Sequence, residues 1–186
     1  RTRADGRVGV MAAAILLAAR QARVPRSPKE LALIFSTTPA NITKGSKVLQ
    51  TALHGSALLA SDEQLYIGTA SDFVPRFCSK LGVSETATSM ARKIASGAVA
   101  KGIVRENTPP SVAGGAILYA VELALGDGAR VPKGDKERIA TAAGVSVVTI
   151  AKVRKRLFTY RGHLLDRADV DRLRRAEGRA EGRAGT

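Results

Sequence analysis

The chain has 186 residues, enough for one large domain or two small ones. Aromatics are 4% and Trp is absent, so any core is built from Ala, Val, Leu and Ile side chains at close helix contacts. Lys and Arg number 30 against 16 Asp and Glu, a net charge of +14, and such a field attracts a polyanion such as nucleic acid or an anionic surface. Cys78 is the one cysteine, which excludes an internal disulfide, and with His54 and His163 far apart in sequence it leaves no metal cluster. The longest apolar run, 8–19, falls short of the roughly 20 residues of a membrane-spanning helix.

Taken in chain order, residues 10–20 read as an apolar helix. A loop ending in Val24-Pro25 follows, because proline disfavours helix in the residue before it. Ser27-Pro28-Lys29-Glu30 then supplies a cap, a proline at the first helical position and an early acid. Thr38 to Leu49 reads as a further helix. Residues 60–69 have no period and are expected to link two halves. Ser71-Asp72 caps a helix through Phe73, Phe77 and Leu81, and another spans 84–101. The turn Glu106-Asn107-Thr108-Pro109-Pro110-Ser111 caps a buried helix over 112–125, in which Gly114, Gly115 and Ala116 permit close helix contacts. After Val131-Pro132, Asp135 is the expected cap of a helix through Thr141. Gly144-Val145-Ser146 stops it, and Ser146 caps a helix over 147–158. Two short helices joined by a three-residue turn containing glycine form the helix-turn-helix pattern. Residues 166–186 repeat Arg-Ala-Glu-Gly with little apolar content, and are expected to be a charged tail, frayed or disordered.

The chain also repeats itself. Ala14-Ile-Leu-Leu-Ala-Ala19 recurs as Ala116-Ile-Leu-Tyr-Ala-Val121, and Arg23-Val-Pro25 as Arg130-Val-Pro132. Leu31-Ala32 recurs as Ile139-Ala140, and Ile42, Lys44, Lys47 and Leu49 recur as Ile150, Lys152, Lys155 and Leu157. Order and spacing are both kept, which points to a duplicated helical unit. The expected architecture is all-α: a first repeat over 1–66, a linker over 67–70, a second repeat over 71–165 and the tail over 166–186. The second repeat has five helices. The first shows four, lacking its N-terminal helix, and each ends in a helix-turn-helix-like unit.

Helical spacing turns Ile150, Val153 and Leu157 inward and leaves Val148, Thr149, Ala151, Lys152 and Lys155 outside, flanked by Arg154 and Arg156. Such a helix fits the major groove, with Val148 and the Thr149 methyl against thymine methyls and the cations on phosphates. The bland alternative is a basic surface helix with no ligand. Asn107, Thr108 and Ser111, at the start of the buried helix, join the candidate DNA-binding set. In the first repeat Lys44 and Lys47 occupy the matching positions, but Pro39 and Gly45 make that helix look like a backbone or protein contact more than a base reader. Arg3 and Arg7 offer phosphate contacts near a helix N-terminus, or are simply solvated. No phosphate loop, paired acids or nucleophile elbow appears, so no enzyme is expected. His54 and His163 read as surface residues and Cys78 as core.

The strings SDFVPRFCSKLGV (71–83), ARKIA (91–95), PPSVAGGAILYA (109–120) and IATAAGVSVVTIAKVRKRL (139–157) resemble, in this order, landmarks of the second cyclin-like repeat of the transcription factor IIB core. AAAILLAARQARVPRSPKEL (12–31) resembles part of its first repeat. The resemblance implies two cyclin-like repeats that bind the TATA-binding protein and promoter DNA flanking the TATA box and help recruit RNA polymerase. It places the recognition helix on Val148, Thr149 and the residues after Ile150. Many members carry an arginine after this Thr-Ile pair that reads a guanine upstream of the TATA box. Here that position is Ala151. The resemblance also implies a zinc ribbon and a polymerase-contacting segment before Arg1, no cofactor within this chain, a monomer, and action in the nucleus, or in the cytoplasm of an archaeon or at the replication site of a virus. Three alternatives share the fold: a IIB-related factor of the RNA polymerase III system, a cyclin-like kinase regulator, and a scaffold that has lost promoter reading. The basic helix speaks against the second and Ala151 for the third.

Overall fold

The computed structural model describes residues 4–22, 24–53, 69–126 and 129–184, and all the regular structure among them is helical. The chain divides into two compact units, Arg1–Gly68 and Thr69–Thr186.

The first unit has three helices among its described residues: α1 (Ala4–Gln21), α2 (Pro28–Ile34) and α3 (Pro39–Leu53). The start of α2 is the expected one. The Glu30 N–H donates to Ser27 Oγ at 3.2 Å, the Ser27 N–H donates to the Glu30 carboxylate at 2.8 Å, and Pro28 takes the first helical position. Pro39 opens α3, where a missing N–H removes no intrahelical bond. The core is small: Ala12, Ala13, Leu16, Leu31, Ala32 and Ile42. Gly45 is buried where α3 crosses α1, and a Cβ there would run into the Gly9 carbonyl, as one at Gly9 would lie 2.5 Å from the Asn41 carbonyl oxygen. The two backbones meet at these glycines, so Gly45 makes the crossing instead of weakening a helix. Residues 54–68, which hold the expected end of the first repeat and part of the linker, lie outside the described residues, as do Arg3 and Arg23.

The second unit comprises α4 (Ala70–Leu81), α5 (Glu85–Ala100), α6 (Pro109–Leu125), α7 (Lys133–Ala143), α8 (Val147–Thr159), α9 (Arg161–Leu164) and α10 (Arg167–Ala184). α6 is its axis. Every residue from Ser111 to Ala120 is buried, because α4, α5, α7, α8 and α10 all pack on it. α4 begins earlier than Ser71: the Thr69 N–H donates to the Asp72 carboxylate at 2.7 Å, and Ala70 is buried in the core. Thr69 and Ala70, expected in the linker, therefore belong to this unit. α7 also begins early, directly after Pro132, and Asp135 sits within its first turn, pairing with Arg138 at 3.4 Å instead of capping.

Equivalent positions of the two units share their burial. Leu31 and Ala32 are buried as are Ile139 and Ala140, and Ile42 as is Ile150. Lys44 and Lys47 are exposed as are Lys152 and Lys155. α1, α2 and α3 thus correspond to α6, α7 and α8. Among the described residues nothing in the first unit corresponds to α4 or α5, and α1 is exposed along Met11, Ala14, Ile15 and Ala18.

The tail, expected to be a frayed helix or disordered, is helical over Arg167–Ala184. α10 packs on α5 and α6 with Leu173 fully buried and Val170 against the same core. Asp169, 7% exposed, accepts from Lys93 of α5. The Asp169 N–H donates to Asp166 Oδ1 at 2.8 Å, and Arg174 Nε donates to the Leu123 carbonyl at 3.3 Å. One leucine and one valine at helical spacing, with an ion pair between buried Asp169 and half-exposed Lys93, anchor an otherwise charged segment.

Candidate nucleic-acid interface

α7 and α8 are joined as the sequence implies. Gly144 takes the left-handed conformation (φ +65°) that glycine adopts without steric penalty, and the Val145 N–H closes the end of α7 on the Ala140 carbonyl at 3.0 Å. Ser146 Oγ then accepts the Thr149 N–H at 3.1 Å, starting α8.

One face of α8 is sunk into α6. Ile150, Val153 and Leu157 are buried, and α6 meets them with glycine. A Cβ at Gly114 would lie 2.8 Å from Ile150 Cγ2, and one at Gly115 would lie 2.6 Å from Val153 Cβ. The approach is possible because neither residue has a side chain. The opposite face is open: Val148 is 61% exposed, and Ala151, Lys152 and Lys155 are exposed with it. Thr149 is half-buried, and its hydroxyl lies 2.8 Å from that of Ser146, tied into the cap.

Two expected contacts do not fit their surroundings. Arg154 does not reach outward as a phosphate ligand. Its side chain is 25% exposed, and its Nε and Nη2 both donate to the carboxylate of Glu122 on α6, itself 12% exposed. The same guanidinium lies 4.8 Å from the Phe158 ring centroid and 5.8 Å from that of Tyr119. Ser111 is buried, its hydroxyl 2.8 Å from that of Thr108, so it completes the start of α6 and is withdrawn from any ligand surface. Thr108 itself is the exposed cap of α6 and Asn107 is half-buried beside it. Arg156 reaches Glu106 at 3.6 Å, which brings this turn alongside α8. In the first unit Arg7, Lys44 and Lys47 are all exposed.

Sequence reasoning passed over Glu122 and Tyr119. The available signal was that Glu122 is the single acid in the apolar helix α6. Cys78 is buried, and burial raises its thiol pKa, as for an inert core cysteine. Among the described residues no group of His, Cys, Asp and Glu could hold a metal ion, and no helix is long and apolar enough to cross a membrane.

Relatives of known kind share this chain. A transcription initiation factor IIB-like protein of Acanthamoeba polyphaga mimivirus is 29% identical over 180 residues, 92% of this chain and 36% of that protein. Transcription initiation factor IIB of Methanopyrus kandleri is 34% identical over 149 residues, 80% and 44% of the two chains. That of Xenopus laevis is 32% identical over 141 residues, 76% and 40%. The chain belongs to the transcription initiation factor IIB family. No protein-family model matches it. It spans less than half the length of these initiation factor IIB relatives. Membership accords with the all-helical fold and with the resemblance of its strings to the IIB core, and archaeal, eukaryotic and viral relatives align across most of its length.

Proposed function

We propose that this chain is the promoter-binding core of a transcription initiation factor, which joins the TATA-binding protein on DNA flanking the TATA box and so helps recruit RNA polymerase. The observation that carries the reading is the α7–turn–α8 arrangement, in which a basic face with Val148, Ala151, Lys152 and Lys155 stands open while the other face is buried on α6. On this reading the two lysines hold phosphates, and Val148 and Ala151 present methyl groups to thymine methyls at the groove floor. Ala151 has no donor for a guanine, so affinity comes from backbone contacts and shape more than from base hydrogen bonds. Thr108 and Asn107 add backbone contacts at the edge of the same face, and Arg7, Lys44 and Lys47 give the first unit its own phosphate contacts. The chain contributes no chemistry and no cofactor of its own. A mobility-shift titration on TATA-box DNA, with and without TATA-binding protein, tests this. The reading expects a ternary complex tighter than either binary one; absence of that complex contradicts it.

A further inference from the structure

We propose that Glu122 and Arg154 form a latch that sets the rotation of α8 on α6, acting on DNA binding by positioning Val148, Ala151, Lys152 and Lys155 and not by touching DNA. The inference rests on the promoter-binding reading above.

The contact between α6 and α8 is unusual in what it lacks. At Gly114 and Gly115 the axis helix offers α8 bare backbone, against which Ile150 and Val153 lie. Helices usually fix their mutual rotation by side-chain ridges sitting in grooves, and a glycine pair removes the ridge from one side. Dispersion and burial hold such a contact closed without fixing its angle, since neither force is directional. A directional element is present about two turns further along α6. The planar fork of Arg154 matches the two oxygens of a carboxylate, and such a pair fixes geometry as well as distance. Both donors go to Glu122. Phe158 lies under the same guanidinium and meets Tyr119 edge-on, ring centroids 6.2 Å apart at 79°, while Arg161 stands 4.5 Å from the Phe158 ring. The guanidinium is thereby restrained in plane and in depth.

Its place on the helix explains why this matters. At 3.6 residues per turn, Ala151, Lys155 and Val148 follow one another around the helix from Arg154, with Lys152 beyond. Arg154 thus borders the open face, and turning it turns the face. A rotation of about 20° moves a side-chain tip at the helix surface by on the order of 2 Å, enough to break hydrogen-bond geometry. Glu122 is also the residue whose charge points the wrong way for DNA. Field effects alone predict tighter binding when its charge is removed, since counterion release grows with net positive charge at the interface. The latch predicts the opposite.

The test compares Glu122→Gln, Arg154→Lys and Arg154→Gln with wild type in this chain, on promoter DNA with TATA-binding protein, at a temperature where circular dichroism shows each fully folded. Arg154→Lys keeps the charge and loses only the fork, so it serves where another variant fails to fold. The latch predicts roughly tenfold weaker complexes for Glu122→Gln and Arg154→Lys, with the dependence of log affinity on log salt unchanged in all three. It also predicts faster amide exchange in α8 without DNA. Equal or tighter binding by Glu122→Gln, or a salt slope lowered by about one in Arg154→Gln, which marks a phosphate that Arg154 itself had held, overturns it. If wild type itself forms no complex, the promoter-binding reading fails. The exchange of the α8 amides then decides the latch alone, and unchanged protection in Glu122→Gln overturns it.

Discussion

Gly115 carries the approach of α8 to its support, and a double-mutant cycle with Val153 measures how much. In Gly115→Ala the new Cβ would lie 2.6 Å from Val153 Cβ. Valine in a helix has essentially one side-chain rotamer and cannot swing aside, and Val153 is fully packed at 1% exposure. Overpacking of this kind costs about 1 to 3 kcal/mol. The better helix propensity of alanine returns about 1 kcal/mol, so the upper part of that range leaves a net loss of about 1 to 2 kcal/mol. Val153→Ala removes two methyl groups, about 1.6 kcal/mol of transfer energy, and with the cavity about 2 to 3 kcal/mol. In the double variant the clash with Val153 Cγ1 disappears, while the Cβ that alanine keeps at position 153 still crowds the new methyl. Part of the overpacking and all of the propensity gain stay, so the loss should be about 2 to 3 kcal/mol, against about 3 to 5 for the summed singles. Urea unfolding followed by far-ultraviolet circular dichroism, with equal slopes in all four proteins, reads the coupling. Single effects that add to within about 0.5 kcal/mol would refute the packing argument.

Other consequences are as direct. Leu173→Ala should cost about 2 to 5 kcal/mol, as a core truncation does, whereas a solvated tail would leave the urea midpoint unmoved. Asp169, held below the usual carboxylate range chiefly by its hydrogen bond from Lys93, contributes stability that is present above pH of about 4 and is lost as pH falls through its lowered folded value. Asp169→Asn should therefore be less stable than wild type at neutral pH, with the gap closing in acid; a gap constant down to pH of about 2 contradicts the pairing. Ala151→Arg should place a bidentate donor on the open face of α8 and gain about 1 to 3 kcal/mol of preference for guanine over other bases at one position, read by competition among promoter variants. Undiminished indifference to that base would show that position 151 does not face the groove floor.

What was legible in the sequence was what local chemistry decides. Ser27, Pro28 and Glu30 specify a helix start among themselves, and Gly144 with Ser146 specifies a stop and a new start, so α2 and the α7–α8 turn appear where expected. Gly114 and Gly115 announced a close contact because glycine in an apolar helix has few other uses. What was not legible depends on partners distant in the chain. Arg154 looks like one cation of a basic run until Glu122 is seen beside it, and Asp169 looks solvated until Lys93 reaches it from α5. α10 carries too few apolar residues for a periodic signal, and its order comes from one leucine entering a core that other helices make. Ser111 was misplaced for a smaller reason: a turn residue and the first turn of a buried helix look alike in sequence, and only the packing around α6 separates them.

The claim that the open face of α8 meets DNA is tested most directly by the salt dependence of the ternary complex for wild type and for Lys152→Ala, Lys155→Ala. Both side chains are exposed, and removing them should leave folding stability unchanged to within about 0.5 kcal/mol. Phosphate contacts by both lysines predict weaker binding at every salt concentration and a slope of log affinity against log salt shallower by about two, one for each phosphate no longer neutralised. A double variant with the affinity and slope of wild type would contradict it, and would take the interface away from α8.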